Sequence, residues 1–278
     1  MSMAPGLPRT GLNRGLKSNS NSGPGTSFNS SKLVRFLTEL AGADVAVAAT
    51  SKQSFAEKLG LWLDWPDAIS LAAALNKEPA ASESNEQWAA PSAANAAFNE
   101  YSRVAAELTK GILRDAGLAA DQELPQRPKP VSGAGVDTPL EFSAYRRSYL
   151  GHQRLMAAAI GPLRGQVRAA LAGLSPALGR LAALDAVLDE ALQARERHLL
   201  SQLPGVLEKH FEQMRKAHQA GLEHGQGALV QAPAAQAASW HAGYCKDMQG
   251  VLLAELALRL QPIEGMMEAM GFEFTRRQ

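Results

Sequence analysis

Apolar residues recur every three or four positions along most of the chain after Ser31, which is the period of an amphipathic helix. Leu33, Phe36 and Leu40 mark a first short helix, which Gly42 is predicted to end. The pattern therefore predicts an all-α protein.

Three further helices are predicted in the N-terminal half. Ser51 is a suitable N-cap for the second, which Gly60 is predicted to end. Pro66 suits the first turn of the third, which continues toward Asn76. The fourth is predicted over residues 92–116, with aromatic and aliphatic side chains on one face.

Trp62 and Trp65 belong to the densest aromatic cluster of the chain, at the junction of the second and third helices. One interpretation is that both tryptophans plug the seam between neighbouring helices. The alternative is a binding patch for a partner helix, because exposed tryptophan is frequent at the energetic centre of protein interfaces. The seam is the interpretation we favour, and the patch stays open.

The C-terminal half carries the clearest helical signals. Thr138-Pro139-Leu140-Glu141 is a capping box with proline at the first helical position. The helix that follows repeats its apolar face about every 3.6 residues, between the coiled-coil and straight-helix periods. Its apolar-face positions are 142, 145, 149, 152, 156, 160, 163, 167, 171 and 174.

Two more long helices complete this half. Ser175-Pro176 is predicted to restart the chain into a helix that runs to Met214, with Leu199 on its apolar face. Another follows residues 221–233 and continues to Met270. Long helices joined by short turns form antiparallel bundles. Prolines lack the backbone donor and are expected to kink or split these helices at Pro162, Pro204 and Pro262.

The composition along the chain predicts four regions. Residues 1–30 are rich in Gly, Ser, Asn and Pro and are expected to form a disordered tail. Residues 31–121 form an N-terminal helical region, and residues 122–138, rich in Pro and Gly, form a flexible linker. Residues 139–278 form the C-terminal long-helix bundle.

Composition and charge exclude several classes of protein. Aromatic residues make up only 6% of the 278 residues, which argues against a β-sandwich or barrel. Cys245 is the only cysteine, so a disulfide-stapled domain is excluded. The net charge of +1 provides no overall field toward nucleic acid or anionic lipid. With no secretory signal and no apolar membrane span in the sequence, a cytoplasmic location is expected.

Catalytic and metal-binding motifs are missing from the sequence. No histidine follows a glutamate at the spacing of carboxylate-bridged metal bundles. His241 and Cys245 are the only ligand pair at helical spacing, and a closed zinc site needs four ligands. His152 falls on the apolar stripe and is expected to be a partly buried seam histidine. We therefore expect no enzyme activity, no cofactor and no metal.

Five arginines share one face of the helix that follows the capping box. Advancing about 100° per residue places them within an arc of about 100°, opposite the apolar stripe. One interpretation, slightly favoured, is a solvated face or one that pairs with Asp185, Asp189 and Glu190 of the next helix. The other is a docking strip for phosphate or an acidic partner. The arginines are Arg146, Arg147, Arg154, Arg164 and Arg168.

Three segments are similar to an uncharacterised, mostly helical proteobacterial family of unknown function. They are EKLGLWLDWPDAISLAAALN from Glu57, YRRSYLGHQRLMAAAIGPLRGQVRAAL from Tyr145, and ARERHLLSQLPGVLEKHFEQMRKAH from Ala194. The resemblance implies a soluble component of an envelope-associated assembly, because such proteins are associated with stator-like membrane proteins and peptidoglycan-binding proteins. No residue role follows from it.

The sequence thus favours a non-enzymatic helical interaction or scaffold protein with a protein partner, one candidate being a membrane-associated stator-like protein. The alternative is a nucleic-acid-binding helical protein that uses the basic tail and the arginine face. Self-association of the chain is compatible with either hypothesis.

Overall fold

A computed structural model of the chain describes residues 32–41, 55–76, 91–115, 141–224 and 233–274, which form eight α-helices and no strand. The all-α prediction is confirmed. The predicted tail over residues 1–30 and linker over residues 122–138 lie outside the described residues. The helices are α1 (Lys32–Ala41), α2 (Phe55–Trp62), α3 (Trp65–Asn76), α4 (Pro91–Leu113), α5 (Phe142–Ala172), α6 (Pro176–Leu200), α7 (Leu203–His224) and α8 (Pro233–Ala269).

Gly60 does not end the second helix, contrary to the prediction. It lies inside α2, which continues to Trp62, and the amide of Leu63 still bonds to the carbonyl of Leu59 at 3.0 Å. A glycine ends a helix by adopting a left-handed conformation. Among the described glycines only Gly271 has a positive φ, of 96°.

The start of α5 also differs from the prediction. The helix begins at Phe142, and Glu141 is its N-cap with an extended backbone and no side-chain cap hydrogen bond. The remaining residues of the predicted capping box, 138–140, lie outside the described residues. By contrast, the predicted start of α6 is confirmed. The Ser175 hydroxyl accepts a hydrogen bond from the amide of Leu178 at 3.2 Å, with Pro176 in the first turn.

The second long helix of the C-terminal half is divided in two. It breaks at Ser201 and Gln202 into α6 and α7, and Pro204 occupies the first turn of α7, where its missing N–H has no helical partner to lose. Pro162 and Pro262 lie inside α5 and α8 and do not end them. Leu199, which was predicted on the apolar face, is 52% exposed because the adjacent Leu200 enters the core at the break.

The apolar stripe of α5 is buried at eight of its ten predicted positions and half-buried at 152 and 174, and α8 packs against it. The centre of the core is formed where these two helices meet α4, α6 and α7. Leu33 of α1 and Tyr101 of α4 belong to the same core, so helices from both sides of the predicted linker share it. The buried residues of α5 are Phe142, Tyr145, Tyr149, Met156, Ile160, Leu163, Val167 and Leu171.

Candidate interaction surfaces

A reciprocal pair of aspartates sets the start of α3. The amide of Asp67 donates to Oδ1 of Asp64 at 2.9 Å, and the amide of Asp64 donates to Oδ2 of Asp67 at 3.3 Å. This arrangement satisfies backbone donors that the first turn of a helix leaves free. It fixes Trp65 as the first residue of α3 and Pro66 as the second.

One side of α3 is apolar and exposed. Ala74 is buried and Leu71 is half-buried on the side that packs toward α6. On the opposite side Trp65 is 79% exposed, Ile69 55% and Leu75 59%, with exposed alanines between them. We call this surface the α3 face, and its residues are Trp65, Ala68, Ile69, Ala72 and Leu75.

The two tryptophans of the aromatic cluster have different environments. Trp62 is half-buried, and the guanidinium carbon of Arg195 lies 4.9 Å from the centre of its ring. This is a cation–π contact between α2 and α6. Trp62 therefore packs at a helix seam as expected, whereas the same expectation is wrong for Trp65, which projects from the first turn of α3.

Arg164 and Arg168 are neutralised by the next helix. Arg164 binds Asp185 through Nη2 at 2.6 Å and through Nε at 2.9 Å, and its Nη1 binds Asp189 at 2.7 Å. Nη2 of Arg168 binds Asp189 at 2.6 Å. Burial alone would lower the pKa of Arg164, but the two carboxylates outweigh it and hold the pKa above its ordinary value. Glu190, the third predicted acid, is exposed outside this cluster.

Arg146, Arg147 and Arg154 remain on the exposed surface of α5. None of the three forms an ion pair with any residue that the structure describes. Leu155, 59% exposed, lies about 80° from Arg147 around the same helix. The sequence pattern did not single it out, although its position off the apolar stripe is visible in the spacing. We call the surface that carries Arg147, Arg154 and Leu155 the arginine strip, and Arg146 lies about 100° from Arg147 around the helix, at its edge.

His152 lies at a helix seam, as predicted. Its Nε2 is 2.8 Å from Oδ2 of Asp115, and Ser148 also donates a hydrogen bond to that oxygen. Both side chains bond to the same carboxylate, so the arrangement ties the end of α4 to α5. It does not form the serine–histidine contact that an activated nucleophile requires.

His241 and Cys245 face each other one turn apart on α8, with 3.6 Å between Nε2 and Sγ. Tyr145 of α5 hydrogen-bonds to the same nitrogen. Burial raises the pKa of the Cys245 thiol to about 11, aided by the charge of Asp115, which disfavours the thiolate that metal binding and nucleophilic attack require. Within the described ranges, no three His, Cys, Asp or Glu side chains are placed to hold a metal ion.

A buried polar network joins α5, α6 and α8. Glu255 has no exposed surface and accepts hydrogen bonds from Tyr149 at 2.6 Å and from Arg259 at 2.8 Å. The amide of Gln153 donates to Glu255 and to the carbonyl of Leu200, each at 3.1 Å. Each oxygen of the buried carboxylate therefore has partners, as a buried charge requires. Sequence periodicity had placed Tyr149 in the core without indicating this partner.

The fold and these surfaces define an all-α protein with a polar network in its core and an apolar helix face on its surface. The chain belongs to the family described as Protein of unknown function (DUF3348), whose sequence model matches residues 20–271. The resemblance to an uncharacterised helical family is thereby confirmed, without any link to stator-like proteins.

Comparisons with curated proteins and with solved structures found no match to the chain. No helix in the part of the chain that the structure describes is long and apolar enough to cross a lipid bilayer.

Proposed function

We propose that this protein is a non-enzymatic helical scaffold that binds an amphipathic helix of another protein on its α3 face. The observation that carries the proposal is the 79% exposure of Trp65 at one end of a continuous apolar stripe. Exposed tryptophan in such a position is typical of the few residues that supply most of the binding energy of an interface.

The shape of the α3 face favours a helical partner. Its apolar side chains recur at spacings of three and four residues, so they form a line along the axis of α3 rather than a closed pocket. The 12 residues of α3 span about 18 Å. A helix with apolar residues at the same spacing covers a line of this kind by ordinary side-chain interdigitation.

Replacing Trp65 with alanine tests the proposal. Leu113→Ala is the matched control, because Leu113 is another large exposed apolar side chain, 55% exposed, at the end of α4. Each protein is purified through a tag from its native cell after cross-linking, and the captured proteins are quantified. We expect that Trp65→Ala, and not Leu113→Ala, loses one co-purifying protein. The substitution should weaken the binding free energy of that complex by about 2 kcal/mol or more.

Three other results contradict the proposal. Equal recovery of every captured protein by both variants excludes the α3 face as the binding surface. Concentration-dependent self-association that Trp65→Ala abolishes, measured by sedimentation, identifies a second copy of the chain as the occupant instead. Turnover of a small-molecule substrate by the purified chain would contradict the non-enzymatic assignment.

The cellular setting is a further part of the proposal. We place the protein in the cytoplasm, as the soluble component of an envelope-associated assembly, on the basis of the sequence resemblance. Fractionation of native cells tests this. The protein is expected in the membrane fraction at low salt through its partner, and in the soluble fraction once that partner is deleted.

Nucleic-acid binding is the second candidate function, and the exposed arginines of α5 are the observation that favours it. A random DNA duplex titrated at several salt concentrations tests it directly. Binding through phosphates weakens steeply with salt, whereas no binding at low salt removes this candidate.

A further inference from the structure

We propose that the arginine strip of α5 is a separate docking surface for an acidic amphipathic helix of a partner protein. The sequence placed five arginines on this side of α5, and the structure divides them into two groups. Arg164 and Arg168 are neutralised by Asp185 and Asp189. The other three stay exposed at the N-terminal half of the helix.

Within the described ranges, no acid forms an ion pair with the exposed arginines on this half of α5. The 31 residues of α5 include no aspartate or glutamate. Asp115, at the end of α4, binds His152 and Ser148, and Glu255 lies in the core. Glu141 is exposed at the N-cap of α5, where Ser143 donates a hydrogen bond to it. Three guanidinium groups on an exposed surface favour carboxylates or phosphates as ligands, because their planar donors match both.

The spacing of the arginines matches an acidic helix. Arg147 and Arg154 are separated by two turns, about 10 Å along the axis, and lie within about 20° of each other around it. A helix laid alongside α5 with acidic residues seven positions apart presents its carboxylates at the same interval. A small side chain occupies the surface at Ala158, and nothing lies within 4 Å of a Cβ added at Gly151 or Gly161, so the partner can approach closely.

Leu155 favours a protein over a nucleic acid as the ligand of the arginine strip. This leucine is 59% exposed and lies about 100° from Arg154 around the helix, so an apolar side chain flanks the cationic ones. An amphipathic helix buries such a leucine against its own apolar residues, whereas a phosphate backbone offers it nothing comparable. The net charge of +1 also provides no general attraction to a polyanion.

The test uses the full chain and defined synthetic probes. The probes are a panel of labelled helix-forming peptides of about 20 residues, with leucine on one face and glutamates seven residues apart in different registers. A second panel replaces every glutamate with glutamine, and a random DNA duplex is the third probe. The variant is Arg147→Glu with Arg154→Glu, and circular dichroism and melting confirm that it folds.

Matched controls separate the strip from general charge effects. Arg35→Glu with Arg180→Glu makes the same change in net charge at exposed arginines of α1 and α6. Leu155→Gln tests the apolar contact, and Leu199→Gln is its control on α6, where the leucine is 52% exposed. The α3 face is left intact in all four proteins, so this test does not depend on the partner proposed for it.

The expected result is binding of an acidic peptide that the reversal of Arg147 and Arg154 weakens about tenfold or more, while the control reversal changes it little. Leu155→Gln should also weaken binding of the acidic peptide, and the peptides whose glutamates are replaced by glutamine should not bind. The proposal is overturned if no acidic peptide binds, or if binding is the same with the strip reversed. Duplex binding that the strip reversal removes, without peptide binding, overturns it in favour of nucleic acid.

Discussion

The hydroxyl of Tyr149 donates a 2.6 Å hydrogen bond to Oε2 of Glu255, a carboxylate with no exposed surface at the centre of the helical core. Burial, together with the negative charge of Glu255, raises the pKa of Tyr149 well above its ordinary value. The bond joins α5 to α8 and lies beside the contacts of Gln153 and Arg259 with the same carboxylate. Removing this hydrogen bond therefore tests how much the buried polar network contributes to the stability of the fold.

Tyr149→Phe is expected to lower the free energy of unfolding by about 1–3 kcal/mol, because a buried carboxylate oxygen loses a partner. Tyr244→Phe is the matched control. Tyr244 is equally buried, but among the described residues its hydroxyl hydrogen-bonds only to the weak acceptor Met248 Sδ, at 3.8 Å. Urea denaturation of both variants measures the difference, and equal losses would mean that the hydrogen bond to Glu255 contributes little.

Gly250→Ala is expected to separate α1 from α8. A Cβ at this position would lie 2.7 Å from Cε1 and 2.9 Å from Cζ of Phe36, closer than packed atoms allow. The aromatic ring must move, and a loss of about 1–3 kcal/mol is typical of such overpacking. Hydrogen exchange should show faster exchange of the amides of α1.

Gly265→Ala, on the same helix, is the control for Gly250→Ala. Nothing lies within 4 Å of a Cβ added there, so the greater helix propensity of alanine should raise stability by about 0.5–1 kcal/mol. If both substitutions raise stability, Phe36 does not hold α1 against α8 in solution.

Arg164→Gln is expected to destabilise the protein by about 1–3 kcal/mol, because Asp185 and Asp189 each lose a charged hydrogen bond in a partly buried site. Arg154→Gln, on the exposed strip of the same helix, should stay within about 0.5 kcal/mol of the natural chain. Thermal unfolding of the two variants measures this. Equal losses of stability in the two variants would mean that the ion pairs of Arg164 contribute no more than an exposed arginine does.

His241 is expected to make stability fall in mild acid. Burial lowers the pKa of His241, so the unfolded chain binds a proton at this residue more readily than the folded chain. Stability therefore rises with pH and is lost as the pH falls through the ordinary histidine pKa of about 6.5.

Comparison with His241→Gln isolates this contribution from the other histidines. Urea denaturation at about pH 7.5 and about pH 5.5 should show that the natural chain loses more stability than the variant on acidification. A variant that loses as much as the natural chain would assign the pH dependence to other groups.

Much of the fold could be predicted from the sequence because its signals are local. The apolar stripe of α5 appears as a period of about 3.6 residues, and the stripe faces the core as predicted. The start of α6 could also be predicted, because Ser175 and Pro176 stabilise the first turn of the helix that they begin. Gly60 misled the prediction because a glycine is compatible with both the interior and the end of a helix.

The interaction surfaces depended on tertiary structure, because their character is set by what lies opposite. Identical guanidinium groups have different roles on α5: Arg164 faces the carboxylates of α6, and Arg154 faces solvent. Trp62 and Trp65 are three residues apart, yet Trp62 packs against Arg195 of α6 and Trp65 is 79% exposed. The sequence alone determined which side chains lie on each face of a helix, and the packing of the helices decided which of those faces remained exposed.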